Sequence, residues 1–185
     1  MAYGAVLDAC VLIPISLCDV LLRAAQRDLY RIHWSGMILA EVERNLGKLG
    51  VSPGKAASRV AAMQKALGRA EVIGFQSLIA QMPNDPKDRH VLAAAVVAGA
   101  QSIVTFNLKH FKTDGTAQQH IKAEHPDNFL VDLYHLHPGP MLEIIDAQAA
   151  ALSKSGQQWQ PPDVLESLDR QECKAFVALL RPHFP

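Results

Sequence analysis

Asp8, Glu41, Asp88 and Asn107 are the residues whose types and placement could do chemistry. Asp8 closes Ala5-Val6-Leu7, a short apolar run with the pattern of a buried strand. A charge there is costly unless it is paired or coordinated. Asn107 ends a second such run, Ser102-Ile103-Val104-Thr105-Phe106. In an open parallel sheet the functional crevice lies beyond the C-terminal ends of the strands. If these two strands are neighbours, Asp8 and Asn107 face one crevice, and the acidic start of the helix at Asp88 can point into it. Glu41, on the helix that follows the second strand, is the fourth candidate. Carboxylates gathered without His or Cys ligands suit a hard cation, above all Mg²⁺ or Mn²⁺, and not zinc. Their mutual repulsion is tolerable when a divalent cation compensates it. Such ions activate water and stabilise the attacking and leaving oxygens of phosphodiester hydrolysis.

The elements that must position these residues are legible in the pattern of apolar side chains. Pro14 introduces a helix over Ile15 to Gln26, with Leu17, Val20, Leu21 and Ala24 at helical spacing, and Leu29 to Trp34 reads as a second strand. Ser35 is a suitable cap for a helix carrying Met37, Ile38, Val42, Leu46 and Leu49 and ending at Gly50. Ser52-Pro53 opens an Ala-rich helix to about Leu67, and Glu71 to Phe75 is a weak third strand. Asp85 with Pro86 is expected to cap the helix that runs through Val91-Leu92-Ala93-Ala94-Ala95 and stops at Gly99. Helices alternating with buried strands predict an α/β fold with a central parallel sheet. A polar connection containing Asp114-Gly115 leads to Pro126-Asp127-Asn128-Phe129-Leu130-Val131-Asp132, read as a final edge strand.

Beyond Pro138 the pattern changes to helices over Met141 to Leu152 and Val164 to Leu180, joined by the linker Ser155 to Pro162. The expected division is therefore a main domain over 1–137 and a helical C-terminal extension over 138–185. With 185 residues, 49% hydrophobic and 19% charged, the chain is globular and not a disordered tail. Eighteen Lys+Arg balance eighteen Asp+Glu, so contact with nucleic acid must come from a local basic patch and not a bulk cationic field. The longest apolar run, Val91 to Ala100, is short of the roughly 18 residues of a spanning helix, and the N-terminus lacks the form of a secretory signal. The expectation is a cytoplasmic protein. Three cysteines without CxxC spacing are expected to be reduced and buried.

Four ordered strings carry a family resemblance: Val6-Leu7-Asp8-Ala9-Cys10-Val11-Leu12, Ile38-Leu39-Ala40-Glu41-Val42, Asp85-Pro86-Lys87-Asp88-Arg89-His90-Val91-Leu92-Ala93-Ala94-Ala95 and Ile103-Val104-Thr105-Phe106-Asn107-Leu108-Lys109-His110-Phe111. Over about residues 3 to 135 they resemble the PIN domain, most closely the VapC-type toxins of bacterial toxin–antitoxin pairs. The tail resembles the helical extension that some of these toxins carry. The resemblance implies a three-layer α/β/α domain that cleaves RNA with Mg²⁺ or Mn²⁺. It makes Asp8, Glu41 and Asp88 the expected acids, and places Asn107 where the fourth acid usually stands. Asn brings a carbonyl oxygen without charge, and Asp85 is the candidate to supply the missing charge. Structured RNA such as transfer RNA, a cognate antitoxin protein and a homodimer are the implied partners.

Each residue also has a simpler account. A helix cap before proline explains Asp85 without any metal, and a helix dipole favours Asp88. Glu41 is a solvated helix residue if Glu43 is the ligand instead, although Glu41 shares the Ile38-Val42 side. Asn107 is a cap for the segment Leu108 to Phe111 if it touches no metal. Arg44, Lys87, Arg89 and Lys109, with Lys48 and His110, flank the acids and could hold phosphates, or be merely solvated. His90 is a general base or a packed helix residue. The leading reading is a metal-dependent endoribonuclease toxin; the alternative is a catalytically weak PIN scaffold that binds RNA or protein, because of Asn107. A phosphatase or phospho-receiver is disfavoured: Cys10 stands where the phosphatase needs its second Asp, and the acidic pair of a receiver is missing.

Overall fold

A computed structural model describes residues 3–111, 120–153 and 158–184. Asp114-Gly115 and the first part of the linker, Ser155 to Gln157, lie outside the described residues. The chain folds as two compact units, one formed by Met1–Ile13 with Tyr30–His125 and the other by Pro14–Leu29 with Pro126–Pro185.

The first unit is built on a parallel sheet of five strands: β1 (Gly4–Leu7), β2 (Arg31–Ser35), β3 (Glu71–Val72), β4 (Ser102–Val104) and β5 (Lys122–Glu124), in the order β3-β2-β1-β4-β5. β1 is buried along its whole length because it is paired on both sides, Val6 opposite His33 of β2 and Leu7 opposite Val104 of β4. The order of strands reverses between β1 and β4, which makes their C-terminal ends the switch point of the sheet. The helices of this unit are α1 (Ala9–Leu12), α3 (Gly36–Lys48), α4 (Pro53–Ala66) and α5 (Arg89–Ala98), whereas α2 (Ile15–Gln26) belongs to the second unit. Ser35 caps α3 by accepting the Ile38 N–H at 3.3 Å, as its position before the apolar run requires. Gly99 closes α5 in the left-handed region at φ 61°, where its N–H reaches the Ala95 and Val96 carbonyls. α5 is nearly all apolar and buries every residue from His90 to Ala95, which anchors its N-terminus at the switch point.

The start of α5 corrects one expectation. Asp85 is not its cap: the helix begins at Arg89 with Asp88 in the cap position. Asp85 instead forms a turn, its side chain accepting the Lys87 N–H at 3.0 Å and its carbonyl the Asp88 N–H at 2.9 Å. The Asp85 N–H is committed to the His110 carbonyl at 3.1 Å, a tertiary bond that holds the segment out of the helix.

The second unit gathers α2 (Ile15–Gln26), α6 (Pro126–Leu136), α7 (Pro138–Ser153), α8 (Pro161–Arg170) and α9 (Lys174–Leu180). Leu17, Val20 and Leu21 of α2 are fully buried, as are Ile144 and Ile145 of α7, Val164 and Leu168 of α8, and Phe176 and Leu180 of α9. Buried polar contacts fix α2 among them, with Ser16 and Ser167 hydroxyls 2.7 Å apart and Gln148 donating to the Ser16 carbonyl at 3.1 Å. Two expectations change here. Pro126 to Asp132 is helix, not an edge strand: proline suits its first position, and Phe129, Leu130 and Leu133 bury one side. The edge strand is β5, four residues earlier in its start. The stretch Val164 to Leu180 is two helices, because Glu172 turns the chain at φ 61° between them. Asp127 then caps α9, accepting the Ala175 and Phe176 N–H groups at 2.9 and 2.8 Å.

No helix among the described residues is long and apolar enough to cross a membrane. None of the three cysteines is in a disulfide; Cys18 and Cys173 are buried, whereas Cys10 is partly exposed.

Candidate functional site

The sheet's switch point collects the acids. Asp8 lies one residue past β1, its N–H bonded to the Val104 carbonyl of β4 at 3.1 Å. Its carboxylate is buried and held on both oxygens: Oδ1 accepts the Ala9 N–H at 2.7 Å, while Oδ2 accepts the Thr105 hydroxyl at 2.6 Å and the Cys10 thiol at 3.3 Å. Thr105, fully buried, also accepts the Asn107 N–H at 2.9 Å. One hydroxyl thereby ties the ends of β1 and β4 together and sets the start of the Asn107 segment. Burial and the neighbouring Asp8 charge push the Cys10 thiol up to about 12, so it stays protonated and acts as a weak donor, not a nucleophile.

Asp88 is buried at the start of α5, and its Oδ2 lies 2.5 Å from His110 Nδ1. Burial raises its carboxyl above the ordinary range, opposed by the His110 bond and reinforced by the charges of Asp8 and Asp85. Asp8 and Asp85 therefore each stand within electrostatic reach of Asp88. Glu41, on α3, reaches α5 through His90, with Nε2 3.5 Å from Oε2, and Asn45 Nδ2 lies 3.5 Å from Oε1. Asn107 lies beside the acids through its backbone, with its N–H on Thr105 and its carbonyl accepting the His110 N–H at 2.9 Å. Lys87, Lys109 and Arg44 are exposed, and partly buried Arg89 directs Nε to the Asn84 carbonyl at 3.3 Å.

Whether this arrangement fits a divalent cation can be asked of the donor set. Among the described residues no three His, Cys, Asp or Glu side chains converge closely enough to form a ready-made cage. The chemistry fits nonetheless. Asp8 and Asp85 both act electrostatically on Asp88, and the Asn84 amide beside Asp85 is buried with neither its oxygen nor its nitrogen hydrogen-bonded within the described residues. Hard oxygen donors of this kind suit Mg²⁺ or Mn²⁺. Asp8, Asp88 and Asp85 would hold such an ion, with Glu41 joined to them through α5.

Thr105, Cys10 and Asn84 were not legible as parts of this site in the sequence. Thr105 and Cys10 read as ordinary neighbours of apolar strand ends, and Asn84 as part of a loop. By sequence His110 reads as a phosphate-binding candidate, whereas its ring lies on Asp88.

Comparison with known proteins bears on the family of the chain. The PIN domain profile matches residues 4–109, and the VapC50 C-terminal domain profile matches residues 126–182. The chain is 41% identical over 119 residues to the protein of Mycobacterium tuberculosis (strain ATCC 25618 / H37Rv) named "Putative ribonuclease VapC50", covering 64% of this chain and 69% of that protein. No solved structure matches the chain. A five-stranded parallel sheet with acids at its switch point, followed by C-terminal helices that match their own profile, places the chain in the PIN-domain family, within its VapC-type branch.

Proposed function

We propose that the chain is a divalent-metal-dependent endoribonuclease, acting as the toxin of a toxin–antitoxin pair in the cytoplasm. The observation that carries this reading is the burial of Asp8 and Asp88 at the switch point of the sheet, close enough for the Asp8 charge to disfavour the ionised form of Asp88. Such a pair is unfavourable for stability alone and useful for holding a cation. A bound Mg²⁺ or Mn²⁺ supplies charge to the scissile phosphate and activates water for attack.

The chain's own residues do the positioning. The Ala9 N–H and Thr105 hydroxyl orient Asp8, His110 orients Asp88, and His90 with Asn45 holds Glu41. Arg44, Lys87, Arg89 and Lys109 flank the acids and are proposed to bind the RNA backbone, whose phosphates such side chains recognise without regard to sequence. Transfer RNA as substrate, a protein antitoxin as the inhibitor and a homodimer as the assembly follow from the VapC resemblance. Purified protein incubated with RNA under a titration of Mg²⁺ and Mn²⁺, and with EDTA, tests the reading. Cleavage that requires the ion supports it, and cleavage unchanged in EDTA overturns the metal dependence. The uncharged Asn107 favours a second reading, an RNA- or protein-binding scaffold with little cleavage, for which the same assay shows retention of RNA without products.

A further inference from the structure

We infer that His110 is the positioning residue for Asp88, an inference that rests on the nuclease reading above. His110 grips the acidic turn at two points that are independent of each other. Its ring Nδ1 lies 2.5 Å from Asp88 Oδ2, and its main-chain carbonyl accepts the Asp85 N–H at 3.1 Å. The turn between those acids is closed by the Asp88 N–H on the Asp85 carbonyl at 2.9 Å, so His110 fixes both ends of one rigid unit.

An ionised carboxylate only accepts, so the ring Nδ1–H donates to Oδ2. That bond occupies one carboxylate oxygen and leaves Oδ1 to a cation. A carboxylate held this way enters the site with its direction already chosen, and loss of such supporting bonds typically costs about 10–100-fold in metal affinity. Asn107, although it stands where the family pattern puts its fourth acid, supports the same segment, among the described residues, through its backbone bonds to Thr105 and His110. Asp88 therefore depends on the side chain at position 110, not on that at position 107.

The test measures Mn²⁺ binding directly, by the loss of the free-ion paramagnetic resonance signal at fixed pH, on the full chain and on His110→Leu and His110→Asn. Leucine removes the donor and retains apolar bulk. Asparagine keeps an N–H near the position of Nδ1. The expected result is Mn²⁺ binding weakened about 10–100-fold in the leucine variant and largely restored in the asparagine variant. The Mn²⁺ concentration needed for RNA cleavage should shift in parallel. Circular dichroism and melting of both variants in EDTA report folding separately, and the asparagine variant keeps the test decisive if leucine unfolds the chain. Equal Mn²⁺ affinity in wild type and the leucine variant overturns the inference, as does an asparagine variant as weak as the leucine one. A wild-type chain that takes up no Mn²⁺ and cuts no RNA overturns the nuclease reading itself, whereas one that binds and cuts like both variants overturns only the role of His110.

Discussion

Thr105 donates its hydroxyl to Asp8 Oδ2 at 2.6 Å, joining two residues 97 positions apart in sequence across the seam between β1 and β4. The Thr105 hydroxyl oxygen in turn accepts the Asn107 N–H at 2.9 Å, so a single buried atom sets the direction of the acid and the course of the chain beyond β4. Thr105→Val keeps the shape and removes both bonds. Hydrogen bonds to charged groups contribute about 1.5–3 kcal/mol, and the valine variant is expected to lose stability of that order in urea unfolding. Thr105→Ser, which keeps the hydroxyl, should lose much less. No loss in the valine variant beside a clear loss in the serine variant would show that the methyl group matters and the bond does not.

Asp88→Asn is expected to remove metal-dependent cleavage by more than the about 100-fold typical of supporting residues, while making the metal-free fold more stable near neutral pH. Burial, with Asp8 and Asp85, raises the Asp88 carboxyl above its ordinary range, so the folded state holds its proton more tightly than the unfolded chain. The sign follows: the stability Asp88 contributes is full below the ordinary carboxylate value, about 4, and is lost as pH rises through the raised one. Asparagine fixes the neutral form and still offers an oxygen to His110. Melting curves in EDTA should show the variant ahead of wild type near neutral pH, with the gap closing in acid. A variant less stable than wild type throughout would mean that the ionised Asp88–His110 contact outweighs the repulsion.

Asp8→Asn should likewise abolish cleavage while the chain still folds, since the amide loses the charge that a cation needs and keeps one oxygen for the Thr105 hydroxyl, giving up only the bond from the Ala9 N–H. Retention of wild-type cleavage would move the site away from the switch point.

Asn107→Asp adds a carboxylate beside Thr105 and the acidic turn. If position 107 reaches the cation, activity at limiting Mg²⁺ should rise, because a carboxylate binds a hard ion better than an amide oxygen does. If Asp85 already supplies that charge, Asp85→Asn should damage cleavage far more than loss of its Lys87 turn bond can explain. Titrating Mg²⁺ and Mn²⁺ against rate in the two single variants and the double variant separates these outcomes; unchanged metal dependence in all three removes both residues from the site.

A chain ended after Ser153 loses α8 and α9, and with them the fully buried Val164, Leu168, Phe176 and Leu180. These side chains belong to the same compact unit as α2, so the cut is expected to yield insoluble or unfolded protein and not merely a toxin without a tail. Phe176→Ala alone should cost about 3–5 kcal/mol, as for other large core side chains. A soluble, cooperatively melting truncated chain would show that α2 finds cover without them.

The placements of Asp8 and Gly99 were legible because their signals are local: a charge ending an apolar run has few structural excuses, and Gly99 ends α5 through its own backbone freedom. The parallel sheet was legible for the same reason, since fully buried strands leave continuous apolar runs between helical patterns. What local pattern could not decide was every choice made by a distant partner. Phe129-Leu130-Val131 suits strand or helix by periodicity alone, and packing made it helix. Asp85 has the sequence of a cap, yet its N–H goes to the His110 carbonyl, and the helix starts later. The helix over Ile15–Gln26 follows β1 and α1 in the chain but belongs with the C-terminal helices. Thr105 on Asp8 and His110 on Asp88 exist only because the strand order sets β4 beside β1 and the segment after β4 beside the start of α5. Sequence determined which groups carry charge and which elements bear them, and only tertiary structure decided which hydrogen-bond donor each charge would face.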